Sequence, residues 1–99
     1  MAKKLRRSSG NVFRDLGFPS EEAENLRIRS DLMVRLTKVI RDEGMTQAEA
    51  ARVFGVSQPR VSDLVRGKID LFSIDTLVNM LAKAGLRVTI TARVRKRVA

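Results

Sequence analysis

The stretch that decides the fold is TQAEAARVFGVSQPRVSDLVRGK, residues 46–68. It opens on a capping box, with Thr46 as N-cap and Glu49 three residues on, a pair that satisfies two first-turn amides reciprocally. A short helix is predicted to Phe54, stopped by Gly55, and Ser57 caps a second helix that ends at Gly67. Only Gly55-Val56-Ser57 separates the two, which is the spacing of a helix-turn-helix. The details obey that geometry. Ala51 sits where the helices cross, where only a small side chain fits. Gly55 begins the turn, where a positive φ is needed. Ala50, Phe54, Val56, Val61 and Leu64 fall at the spacings that bury one face of each helix. The remaining positions of the second helix are Gln58, Pro59, Arg60, Ser62, Asp63 and Arg66, all polar except the proline. That proline costs little, because a first turn has no intrahelical N–H bond to lose. A hairpin built only for packing needs neither this bare polar edge nor Ala51 and Gly55 at their positions.

Upstream, Ser20 follows Pro19 and precedes Glu21, Glu22 and Glu24, which predicts an N-cap hydroxyl followed by acids near the positive end of a helix dipole. The helical pattern runs on to Glu43, with Leu32, Met33, Leu36, Val39 and Ile40 as its apolar stripe and Gly44 as its stop. Its first part, 21–29, is more polar and is expected as a separate turn or a projecting extension. Before it, NVFRDLGFP at 11–19 carries Val12, Phe13, Leu16 and Phe18, too apolar for a free tail. Downstream, Ser73 caps a last helix with Ile74, Leu77, Val78, Leu81 and Ala84 on one side, ending at Gly85.

The period then changes. Val88, Ile90, Ala92 and Val94 alternate with Arg87, Thr89, Thr91, Arg93 and Arg95, the pattern of a half-buried strand. A lone strand leaves its backbone groups unpaired. Pairing with the same strand of a second copy across a two-fold axis repairs this. The alternatives are a frayed basic tail and pairing with the short 11–13 segment. The expected architecture is mainly α: a bundle of four to five helices with one C-terminal β-strand paired across a dimer. Its parts are a disordered basic arm at 1–10, an extension at 11–29, the helix-turn-helix domain at 30–85, and a strand with basic tail at 86–99.

Composition narrows the function. The 99 residues suffice for one small domain, and 43% apolar content with four Phe as the only aromatics calls for an aliphatic core. With no Cys and no His, disulfides, thiol chemistry, the usual zinc sites and imidazole acid–base catalysis are excluded. No catalytic constellation assembles from the residues left, so no enzyme activity and no cofactor are expected. No run of apolar residues is long enough for a membrane span, and a cytoplasmic protein fits. The net charge is +9. Four basic groups lie in residues 1–10 and five in 86–99, while the other 11 basic and all 11 acidic groups lie between, so the middle is neutral. Basic ends on a neutral body suit a polyanion, nucleic acid first; solvated tails that keep the protein soluble are the plainer reading. The scarcity of aromatics for base stacking counts against RNA.

Residues 46–68 resemble the helix-turn-helix of Xre-type, lambda-repressor-like DNA-binding proteins, on Thr46-Gln47, Ala51, Gly55, Val61, Leu64 and the closing Arg66-Gly67-Lys68. The likeness extends from helix to helix over roughly 30–85. The outline, with NVFRDLGFP upstream and a strand after the last helix, is similar to small HigA-type antitoxins of bacterial toxin–antitoxin pairs. The resemblance implies that Gln47 contacts a phosphate and braces the second helix. It places Ser57, Gln58, Pro59 and Asp63 at base edges in the major groove, and Arg60, Arg66 and Lys68 at phosphates or groove edges, with Ser62 able to do either. A carboxamide pairs bidentately with adenine, which makes Gln58 the best base reader. Asp63 either accepts from cytosine or pairs with Arg60 or Arg66. The implied protein is a dimeric repressor of a palindromic double-stranded operator, joined through Val88, Ile90, Ala92 and Val94. As an antitoxin it would also silence a RelE/HigB-like toxin through Val12, Phe13, Leu16, Phe18 and Leu26; packing of that segment on its own core or on the sister subunit is the alternative. A stand-alone or phage-type regulator, or an interaction module without DNA binding, are the other functions the sequence admits.

Overall fold

The computed structural model describes residues 11–94. The basic arm expected at 1–10 and the final basic residues, 95–99, lie outside the described residues. In chain order come α1 (Val12–Asp15), α2 (Ser20–Glu43), α3 (Gln47–Phe54), α4 (Gln58–Val65), a 3₁₀ turn (Ile69–Leu71) and α5 (Ile74–Lys83).

α2 is the axis on which the rest is mounted. Its 24 residues make a rod about 36 Å long at the usual rise. The polar first part does not break away. Arg27 reaches Glu24 at 2.7 Å and Asp31 at 3.2 Å, and Arg29 donates to Asn25 at 2.7 Å, neighbours on one helix face that each support helicity by about 0.2–0.5 kcal/mol. One expectation is corrected here: Ser20 is the first helical residue, not the cap. The cap position is Pro19, with no side-chain bond to the first amides. Proline's extended ψ of 153° turns the chain into the helix one residue early, and the Pro19 carbonyl accepts from Ala23 N–H at 2.7 Å.

The other starts follow the sequence. Thr46 Oγ1 accepts from Glu49 N–H at 3.1 Å and Glu49 Oε1 accepts from Thr46 N–H at 2.8 Å. Ser57 and Ser73 cap α4 and α5. The helices end alike: a glycine with positive φ, then a residue whose N–H returns five positions, as Val56 does to Ala51 and Met45 to Ile40, both at 3.0 Å. The return bonds satisfy carbonyls that a helix end leaves orphaned.

Against α2 the three shorter helices close one core. Met33 and Leu36 meet Ala50, Ala51 and Phe54 of α3, Val61 and Leu64 of α4, Phe72, and Leu77, Met80 and Leu81 of α5. Leu32, Val39, Ile40, Val56 and Ala84 pack on its edge. α1 is docked apart from this cluster, on the first half of α2. Buried Asn11 makes the joint: its Oδ1 accepts from Phe13 and Arg14 N–H at 2.9 and 3.3 Å, and its Nδ2 donates to the Ala23 carbonyl at 3.1 Å.

The β-strand expected at the C-terminus is not there: among the described residues there is no strand. Leu86 and Val88 pack on the core edge, and beyond them the chain is exposed. A strand exists only as part of a ladder, and a single chain offers this segment no partner among the described residues. The 11–13 segment cannot serve, because Val12–Asp15 is helical.

Candidate nucleic-acid interface

The geometry of the turn fixes what α4 presents. Gly55 adopts φ 72° and ψ 33°, a left-handed conformation that a side chain disfavours. Ala51 is buried at the crossing. Val61 and Leu64 anchor α4 from below, so the opposite edge is left outside. Gln58 and Pro59, the first two helical residues, are exposed, with Ser57 before them as cap. Ser62 and Asp63, each four residues on, continue the same edge and are half-buried. Arg66 and Lys68 follow the helix and are exposed, and Gln47 is half-buried as the first residue of α3.

Three of the expected contact residues, Arg60, Asp63 and Lys68, have partners within the chain. Arg60, expected at a phosphate or groove edge, is half-buried. Its Nη1 donates to the Leu71 carbonyl at 3.0 Å, and its guanidinium stands 5.3 Å from the centre of the Phe72 ring. Asp63 has its ion pair with Lys68, at 4.0 Å, in place of the expected Arg60 or Arg66. The turn at Gly67 swings Lys68 back toward α4, as its N–H bond to the Asp63 carbonyl at 3.0 Å records. Sequence reasoning missed Arg29. Its Nη1 donates to the carbonyls of Ile69 and Phe72 at 3.2 and 3.3 Å, and nothing in its position on α2 distinguishes it from Arg27 or Arg35.

The other candidates divide between surface and core. Val12, Leu16 and Phe18 are exposed, Leu16 by 70%, while half-buried Phe13 meets Phe18 edge to face at 6.2 Å. Leu26 is only 5% exposed and so offers no outer surface, which corrects its place in a docking face. Phe13, Met33, Val34, Val65 and Ile69 line a shallow apolar groove running from α1 to the end of α4. At the C-terminus Val88 is half-buried on its own core, whereas Ile90 and Val94 are exposed by 56% and 96%.

No helix among the described residues is long and apolar enough to cross a membrane. No curated protein matches the chain. A helix-turn-helix domain family matches residues 12–93, from the start of α1 to the exposed C-terminal segment and therefore most of the sequence. The chain accordingly belongs to that helix-turn-helix domain family, a DNA-binding class.

Proposed function

We propose that this chain is a binding protein, not an enzyme: a cytoplasmic, sequence-specific transcriptional repressor that acts as a homodimer on palindromic double-stranded DNA. The observation that carries the reading is the exposed edge of α4, with Gln58 and Pro59 at its free N-terminal end and Val61 and Leu64 locking it from behind. A helix presented by its first turn on a rigid anchor suits the major groove, with Gln58 reading a base and Arg66 and Lys68 holding phosphates. One such motif covers one half-site, so two copies are needed for half-sites about 10 bp apart. Exposed Ile90 and Val94, on a segment of strand periodicity, favour pairing of two C-terminal segments as the dimer contact.

The antitoxin version adds a second partner. The exposed Val12, Leu16 and Phe18, in and just after a short helix docked outside the core, favour a protein-binding face for a RelE/HigB-like toxin, with autoregulation of the shared operon as the consequence. A stand-alone regulator leaves that face without a toxin; co-expression with the product of the adjacent gene separates the two. The test of the central reading is a gel shift on the DNA upstream of the chain's own gene. Binding should weaken steeply with salt, and Gln58→Ala should lower affinity for the specific duplex by about 1–3 kcal/mol while leaving mixed-sequence DNA unaffected. Unchanged sequence preference in Gln58→Ala would remove α4 as the reading helix.

A further inference from the structure

The loop after α4 is held by two cations, one from α2 and one from α4. Arg29, on α2, donates to the carbonyls of Ile69 and Phe72 and is itself fixed by Asn25 Oδ1 at 2.7 Å. Arg60, on the first turn of α4, donates to the carbonyl between them, that of Leu71, at 3.0 Å. Phe72, which is 1% exposed in the core, meets both: its carbonyl accepts from Arg29 and its ring carries the Arg60 guanidinium 5.3 Å from its centre. Charge-assisted bonds to carbonyls and a cation on a ring face both draw on the planar fork of arginine; an ammonium does not reproduce that geometry.

We propose that Arg60 is a positioning residue for DNA recognition and not a phosphate ligand: with Arg29 it clamps residues 69–72 around Phe72 and so sets the angle at which α4 presents Gln58. The proposal rests on the DNA-binding reading of α4. Arg60 leaves α4 on the same turn as Gln58, so a loosened clamp is felt first at the reading end. Of the cations expected at phosphates, Arg66 and Lys68 remain exposed, Lys68 in a 4.0 Å ion pair with Asp63.

Salt dependence separates the two roles. Removing one phosphate ligand reduces the slope of log affinity against log salt by about 0.9, whereas removing a positioning residue leaves the slope alone. The experiment compares Arg60→Ala, Arg60→Lys and Lys68→Ala in the full chain. One probe is a duplex enriched from a random-sequence pool by the unmodified protein, the other a mixed-sequence duplex. Both Arg60 variants should lose about tenfold or more of the preference for the enriched duplex with slopes unchanged, since a charge-assisted bond is what they give up. Lys68→Ala should keep the preference and lose slope. Hydrogen exchange of the free protein supplies a readout without DNA: the Leu71 and Phe72 amides should exchange faster in both Arg60 variants and in Arg29→Ala, with α3 and α5 still protected. A reduced slope in Arg60→Ala, restored by Arg60→Lys, would make Arg60 a phosphate ligand and overturn the proposal. Unaltered loop exchange in both Arg60 variants would overturn it too. If the unmodified protein enriches no duplex, the DNA-binding reading is what fails, and exchange alone decides the clamp.

Discussion

At the scale of the residue, Gly55 governs what the motif can do. Its φ of 72° sets the direction in which α4 departs from α3. A Cβ added there would also stand 2.5 Å from Lys83 Cδ and 2.9 Å from Cε, because the lysine stem of α5 lies across the turn. The stem can swing aside; the backbone conformation cannot change without moving α4. Gly55→Ala should therefore destabilise the fold by about 1–2 kcal/mol, the usual cost of a left-handed non-glycine residue, read as a shift of the urea midpoint. Adding Lys83→Ala should recover only the part due to collision. A neutral Gly55→Ala would show that the turn does not depend on φ. This residue was legible in the sequence, as were Thr46 with Glu49 and the caps Ser57 and Ser73, because their partners lie within four positions. Arg60 and Arg29 were not. Their acceptors are 11, 40 and 43 residues away, and only the assembled fold brings those carbonyls within reach. Asp63 shows the same limit at shorter range: helical spacing offered Arg60 and Arg66, but the turn at Gly67 delivers Lys68.

At the scale of the element, α1 is the piece whose attachment can be undone by itself. It has four residues and none is buried, and helices so short do not persist without outside support. That support is Asn11, which caps α1 through Oδ1 and ties it to Ala23 through Nδ2. Asn11→Ala removes a cap and a buried bond, each worth about 1 kcal/mol. The effect should be local. Amides of residues 13–18 should exchange faster, while those of α3 and α5 keep their protection, because the main core takes no residue from α1. In DNA binding the variant should match the parent; in binding of a protein partner through Val12, Leu16 and Phe18 it should be impaired. Uniformly faster exchange across the chain would mean that α1 is integral to the core. The sequence showed that 11–19 packs on something, since its apolar content was plain, but not on what. Leu26 illustrates the cost of that gap: it is buried, and its helical spacing alone could not separate a buried position from an outer face.

At the scale of the whole molecule, the remaining question is how two reading helices come to face one operator. The periodicity of 88–94 was readable and its secondary structure was not, because alternation says which side chains share a face while a ladder needs a second backbone. In the single chain Val88 packs on the core edge, while Ile90 and Val94 are left outward, by 56% and 96%. Substituting them consequently leaves the monomer's core untouched. If two copies pair here, Ile90→Asp with Val94→Asp places carboxylates in the seam, like charges near one another and partly desolvated. The pair of substitutions should convert a sedimenting dimer to monomer without lowering the thermal midpoint of the helical bundle beyond its concentration-dependent part. Affinity for the palindrome should collapse toward that of a single half-site, while weak binding to mixed-sequence DNA persists. Thr89→Asp with Thr91→Asp is the matched control: it changes the net charge equally on the other side of the alternation, and should leave the dimer intact. A dimer that survives the first pair of substitutions places the two-fold contact elsewhere, and a dimer broken equally by both pairs reduces the contact to a matter of net charge.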